Sequence, residues 1–86
     1  MYPSVIDVRP TDEHRLYVSF DTGERGVLDM GPFLDFGVFR SVKDQTVFRQ
    51  VRVSFDTIEW PGGIDLDPEF VYRHCKMTAD QSSGAT

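Results

Sequence analysis

Hydrophobic and polar residues alternate along much of the first third of the chain. In "SVIDVRP" (Ser4 to Pro10), Ile6 and Val8 share one side and Asp7 and Arg9 the other, the period of a strand with one wet face. After the polar "TDEH", the stretch "RLYVSF" repeats the pattern with Leu16, Val18 and Phe20 on one face. "DTGE" (Asp21 to Glu24) then joins an Asp that opens a turn to a Gly that accepts left-handed backbone. "RGVLDM" (Arg25 to Met30) is the return strand, so residues 15–30 read as a hairpin. Gly31-Pro32 stops the sheet, because Pro has no N–H to give to a ladder.

The next stretch loses the two-residue period. "PFLDFGVF" is dense in aromatics and too short for a full helix, which predicts a single helical turn or tight loop folding Phe33, Leu34, Phe36 and Phe39 over the sheet. Asp44 stands where an N-cap belongs, with one or two helical turns after it. Alternation returns in "VRVSF", with Val51, Val53 and Phe55 on one face, and in "TIEW", with Ile58 and Trp60 together. Asp56 between them marks a tight turn, so this is a second hairpin. Trp60-Pro61-Gly62-Gly63 has Pro at the second position and Gly at the third, as a type II turn requires. Asp67-Pro68-Glu69 opens a C-terminal helix: Asp67 caps it, Pro68 sits where a missing N–H is harmless, and Glu69 favours the helix dipole. Phe70, Val71, His74 and Cys75 fall on one side of that helix, and Tyr72, Arg73 and Lys76 mostly on the other. The expected fold is therefore α+β: a small antiparallel sheet of about five strands in two hairpins, with short helices, one of them C-terminal. It forms one domain over residues 1–77, with a polar, disordered tail over 78–86.

Composition agrees with a folded chain of 86 residues, 40% hydrophobic and 13% aromatic. The net charge of −5, from 14 acidic and 9 basic residues, argues against direct nucleic-acid binding, where Lys and Arg on phosphates supply most of the affinity. Arg40, Lys43, Arg49 and Arg52 are a local exception, read either as a solvated face or as a docking patch. The single cysteine, Cys75, rules out an internal disulfide and favours a reducing compartment. No signal-peptide pattern and no membrane-length apolar run are visible, so the expected location is the cytoplasm.

Candidate chemistry is sparse. Asp65, Asp67 and Glu69 alternate as metal ligands would, yet an EF-hand starting at Asp65 needs Gly and Glu where Phe70 and Lys76 stand. Asp67 and Glu69 have the helix start to explain them, and Asp65 is left to brace the Gly62-Gly63 turn. Adjacent His74 and Cys75 diverge on a helix, and no spaced Cys/His set exists for zinc, so no cofactor or metal is expected. A Cys75 nucleophile would need a base, for which His14 is the remaining imidazole outside that helix. Tyr17 and Tyr72 fall on outward positions, where aromatics serve as interface anchors. The pentapeptide "VSFDT" occurs at both Val18–Thr22 and Val53–Thr57, two strand ends entering similar turns or a duplicated hairpin.

Taken together, "FDTGERGVLDMGPFL", "GVFRSVKD" and "FRQVRVSFDTIEWPGGIDLDPEFVY" resemble a family of small bacterial proteins known as domain of unknown function 2442. The resemblance covers Val5 to about Tyr72. It implies a compact α+β domain and carries over no catalytic residue. Members of that family are often encoded beside another small protein in pairs that look like toxin–antitoxin modules, which implies the antitoxin-like, partner-binding half. Some relatives add a helix-turn-helix domain, for which this chain has no room. The expected function is thus a non-catalytic module that binds another small protein, one encoded by the adjacent gene. Tyr17, Arg40, Lys43, Arg49, Arg52, Trp60, Asp65 and Tyr72 are the candidate interaction residues. Two rivals stay open. One is a ligand-binding or catalytic pocket near Trp60, Asp65, His74 and Cys75, and the other is a homo-oligomer paired through an open sheet edge.

Overall fold

The computed structural model describes residues 2–78. Strand β2 (Arg15–Phe20) sits between β1 (Val5–Pro10) and β3 (Arg25–Asp29), both antiparallel to it. Its alternation holds as the pattern predicts: Leu16, Val18 and Phe20 are buried, while Arg15 and Tyr17 face water. Two consecutive 3₁₀ segments, Gly31–Phe33 and Gly37–Lys43, and a single-turn helix α1 (Gln45–Phe48) carry the chain across the core. Asp44 caps α1 by accepting from the Thr46 N–H at 2.9 Å. Strands β4 (Arg52–Ser54), β5 (Thr57–Trp60) and β6 (Ile64–Asp65) come next, then helix α2 (Pro68–His74) and β7 (Lys76–Met77). Asp67 caps α2 through the Glu69 N–H, and Pro68 occupies its first turn, as the sequence pattern requires.

The fold is α+β, but its strands form two antiparallel sheets rather than one of about five strands. The first has the order β1-β2-β3-β7 and the second β4-β5-β6. The strands missing from the sequence reading, β6 and β7, have two residues each, too few for alternation to show. β1 lies alongside β4 and links the sheets through the Val5 N–H, which donates to the Asp56 carbonyl at 2.9 Å. The core fills the space between the sheets, α1 and α2, with Phe20, Phe48, Trp60, Leu16, Leu28 and Val71 among its most buried side chains. Two buried polar groups are satisfied there. Trp60 Nε1 donates to the Phe48 carbonyl at 3.0 Å, and Thr57 Oγ1 donates to the Leu66 carbonyl at 2.7 Å.

Several local expectations need correcting. In β1 the pairing register slips between Val5 and Asp7. This bulge sends Val5 into the core and leaves Ile6 59% exposed, where simple alternation had Ile6 and Val8 inside. Of the aromatic stretch, Leu34 is buried and Phe33 and Phe39 pack partly on the core, but Phe36 points outward. Of Val51, Val53 and Phe55, only Val51 packs against the core; Val53 sits at an exposed rim and Phe55 leaves the sheet altogether. Of the expected 78–86 tail, Thr78 is still tied to β3, its N–H donating to the Arg25 carbonyl at 2.8 Å. Residues 79–86 lie outside the described residues.

Candidate functional site

Trp60, Asp65, His74 and Cys75 do not assemble into one pocket. Trp60 is completely buried, its indole capping the Phe48 carbonyl, so it is a core residue rather than an interaction residue. Cys75 is buried at the end of α2, where its N–H donates to the Val71 carbonyl. Burial pushes its thiol up to about 12, so the thiolate needed for nucleophilic or metal chemistry is scarce at neutral pH. His74 is exposed, with Nδ1 3.0 Å from the Phe70 carbonyl and its ring stacked on Phe70. That contact makes Nδ1 the protonated donor. His14, the other imidazole, is engaged elsewhere, with Nε2 2.8 Å from the Lys43 carbonyl and its ring edge-on to Phe48. Asp65 is exposed at the end of the second sheet, and no bond from it to the Gly62-Gly63 turn forms among the described residues. Gly62 and Gly63 hold that turn by their own backbone, at φ of 92° and 79°.

The basic group is largely neutralised by its neighbours. Lys43 binds Asp35 at 2.8 Å and holds that carboxyl below its ordinary range through the shared hydrogen bond. Arg49 pairs with Asp12, and Arg52 with Glu59 at 3.6 Å. Arg40 has no carboxylate partner among the described residues, its Nε donating to the Asp35 carbonyl. Tyr17 is 56% exposed on the outer face of the first sheet, opposite Arg9 and Val27. Tyr72 is half-buried instead of outward. Its ring meets Phe20 edge-on at 5.3 Å, and its hydroxyl donates to Glu24 at 2.8 Å, which raises the phenol's pKa.

The most exposed apolar side chains include Phe36, Ile6 and Phe55, which the sequence pattern placed on inward faces or over the sheet. Phe55 is 95% exposed, and Tyr2, Ile6 and Val53 are exposed on the segments next to it. Phe36 and Val38 form another outward pair, around a Gly37 at φ of 51°. The signal for Phe55 was a matter of loop length. If Thr57 starts a strand and Ser54 ends one, only Phe55 and Asp56 remain for the turn.

No group of three or more His, Cys, Asp or Glu side chains that could hold a metal ion forms among the described residues. No helix there is long and apolar enough to cross a membrane. Among the described residues, the arrangement is a closed core with apolar side chains left outside it. The family model "Protein of unknown function (DUF2442)" matches residues 5–77, and the chain belongs to that family. No curated protein and no solved structure matches it.

Proposed function

We propose that this member of the family is a non-catalytic protein-binding module, the antitoxin-like half of a small two-gene pair, working in the cytoplasm. The observation that carries the reading is the set of exposed apolar side chains, Phe55, Phe36, Val38 and Ile6 above all, around a core that is complete without them. Aromatic side chains are enriched at contact surfaces relative to the rest of a protein's exterior. The net charge of −5 suits a basic partner, drawn in by long-range attraction and then occluded sterically.

The test is affinity purification of the tagged chain from its source cells, with identification of whatever remains bound in stoichiometric amount. A small basic protein from the neighbouring gene is the expected result. Recovery of the chain alone, at both low and moderate salt, would rule this reading out.

A further inference from the structure

Two irregularities of the backbone converge at one corner of the molecule. The β4–β5 turn has two residues, Phe55 and Asp56, between the paired Ser54 and Thr57. Both are left-handed, at φ of 48° and 68°. This is the pattern of a type I′ hairpin turn, whose positions favour Asn and Gly. A bulky Phe there is a strained outlier that must be held by its surroundings. Beside it, the β1 bulge turns Ile6 outward. Each leaves an apolar side chain outside the core: the bulge that seats Val5 inside turns Ile6 out, and the turn that starts β5 in register leaves Phe55 in water. Bulges and strained turns recur where a side chain has to be aimed at something.

The surroundings say what that something is. Tyr2, Pro3, Ser4, Phe55, Asp56 and Pro68 line one shallow hollow. Asp21 is tied to it, accepting from the Ser4 N–H at 3.2 Å. Asp67 precedes Pro68, and Glu24 holds Tyr72, whose ring lies 6.0 Å from that of Tyr2. Elsewhere most carboxylates have a Lys or Arg partner, among them Asp7, Asp12, Glu13, Asp35 and Glu59. Asp21, Glu24, Asp56 and Asp67 have none among the described residues. Arg73, on α2 near Tyr2, is held by Glu69 at 2.8 Å. The corner is therefore an apolar knob in uncompensated negative charge.

We infer that Phe55 is the anchor of a docking surface for a basic polypeptide, inserting into an apolar pocket rimmed by Lys and Arg while Tyr2, Ile6 and Val53 close around it. This rests on the protein-binding reading and adds to it the place, the anchor and the chemistry of the partner. A partner of this kind gains from both the buried ring and the paired rim.

The test uses three tagged full-length baits in the same source-cell extract: wild type, Phe55→Gly and Glu13→Gln, the last in the exposed turn at the far end of β1. A fourth chain carries the photocrosslinker Phe55→p-benzoylphenylalanine. Relief of the left-handed strain should leave Phe55→Gly folded with a Tm at or above that of wild type. The expected result is one stoichiometric partner with an excess of Lys and Arg, retained by wild type and Glu13→Gln and crosslinked from position 55. Its retention by Phe55→Gly should fall at least tenfold. Equal retention by Phe55→Gly, or an acidic partner, overturns the inference and leaves the protein-binding reading standing. A wild-type bait that retains nothing removes both.

Discussion

In the first hairpin, Phe20 of the Val18–Thr22 pentapeptide is 1% exposed; in the second, Phe55 of the same five residues is 95% exposed. The two stretches are identical, so the difference comes from the residues C-terminal to them. After the first copy, Gly23 and Glu24 lengthen the connection. Gly23 takes φ of 93°, and the Phe20 N–H donates to the Glu24 carbonyl. The strand can therefore run on through Phe20, which pairs with Val5. After the second copy no glycine intervenes, and Thr57 is already paired with Ser54. Strand β5 must start there to bring Ile58 and Trp60 into the core, which leaves Phe55 and Asp56 to make the turn. The register of the downstream strand, rather than the pentapeptide, decides which face a phenylalanine reaches. Both copies also grip the start of β1: Asp21 exchanges bonds with Ser4, and the Asp56 carbonyl accepts from Val5.

Paired substitutions at matching positions give ways to break the comparison. The largest contrast is Phe20→Ala against Phe55→Ala. The first removes a buried ring and should lose about 3–5 kcal/mol of unfolding free energy in urea titration, as large-to-small core changes do. The second should stay within roughly 0.5 kcal/mol, as exposed substitutions do. Equal losses would mean that Phe55 packs on the core after all. Next come the near-isosteric Val18→Thr and Val53→Thr. A hydroxyl at the buried site should lose about 1–3 kcal/mol, whereas Val53 sits at a rim where water can reach it. Third are the turns themselves. Phe55→Gly should raise stability by roughly 0.5–1 kcal/mol, the left-handed penalty relieved less the entropy of glycine. Gly23→Ala, at φ of 93°, should lower it by a similar margin, near 1 kcal/mol.

The smallest contrast is in alkaline pH. The first turn is latched by Tyr72 on Glu24, while no side-chain bond of that kind holds the second among the described residues. Tyr72 is raised above its ordinary value by the Glu24 hydrogen bond, and Cys75 by burial to about 12. A folded-state pKa above the unfolded one means that the neutral form is favoured by folding. The associated stability is therefore fully present below the unfolded values and is lost as pH rises through the folded ones. For Cys75 that window runs from 9.0 to about 12. Thermal melts between pH 8 and 11 should show falling Tm. The decline should be shallower in Tyr72→Phe, whose Tm at pH 8 should already be slightly lower.

Much of the fold is legible in the chain because its devices are local. Alternation marks β2, Gly23 marks the first turn, and Asp44 and Asp67-Pro68 mark the helix starts. The two-sheet division was not legible, because β6 and β7 are too short to carry a period and are placed by pairing with β5 and β3. The outward turn of Ile6 was hidden for a related reason: a bulge breaks the two-residue rule without any Gly or Pro to announce it. The candidate site was least legible. Tyr72 falls on an outward position in the sequence and Trp60 is among the candidate interaction residues, yet both are claimed by partners distant along the chain, Glu24 and the Phe48 carbonyl. Phe55 looks like core because its twin, Phe20, is core.

The most direct measurement is fluorine NMR of the chain labelled with 4-fluorophenylalanine, with a soluble gadolinium relaxation agent added at micromolar protein concentration. Phe55→Leu and Phe36→Leu identify two of the resonances. The Phe55 resonance should be among the most strongly broadened, while buried rings such as Phe20 and Phe48 stay sharp. A Phe55 resonance as protected as the buried ones would contradict the claim that the second pentapeptide turns its phenylalanine out to meet a partner.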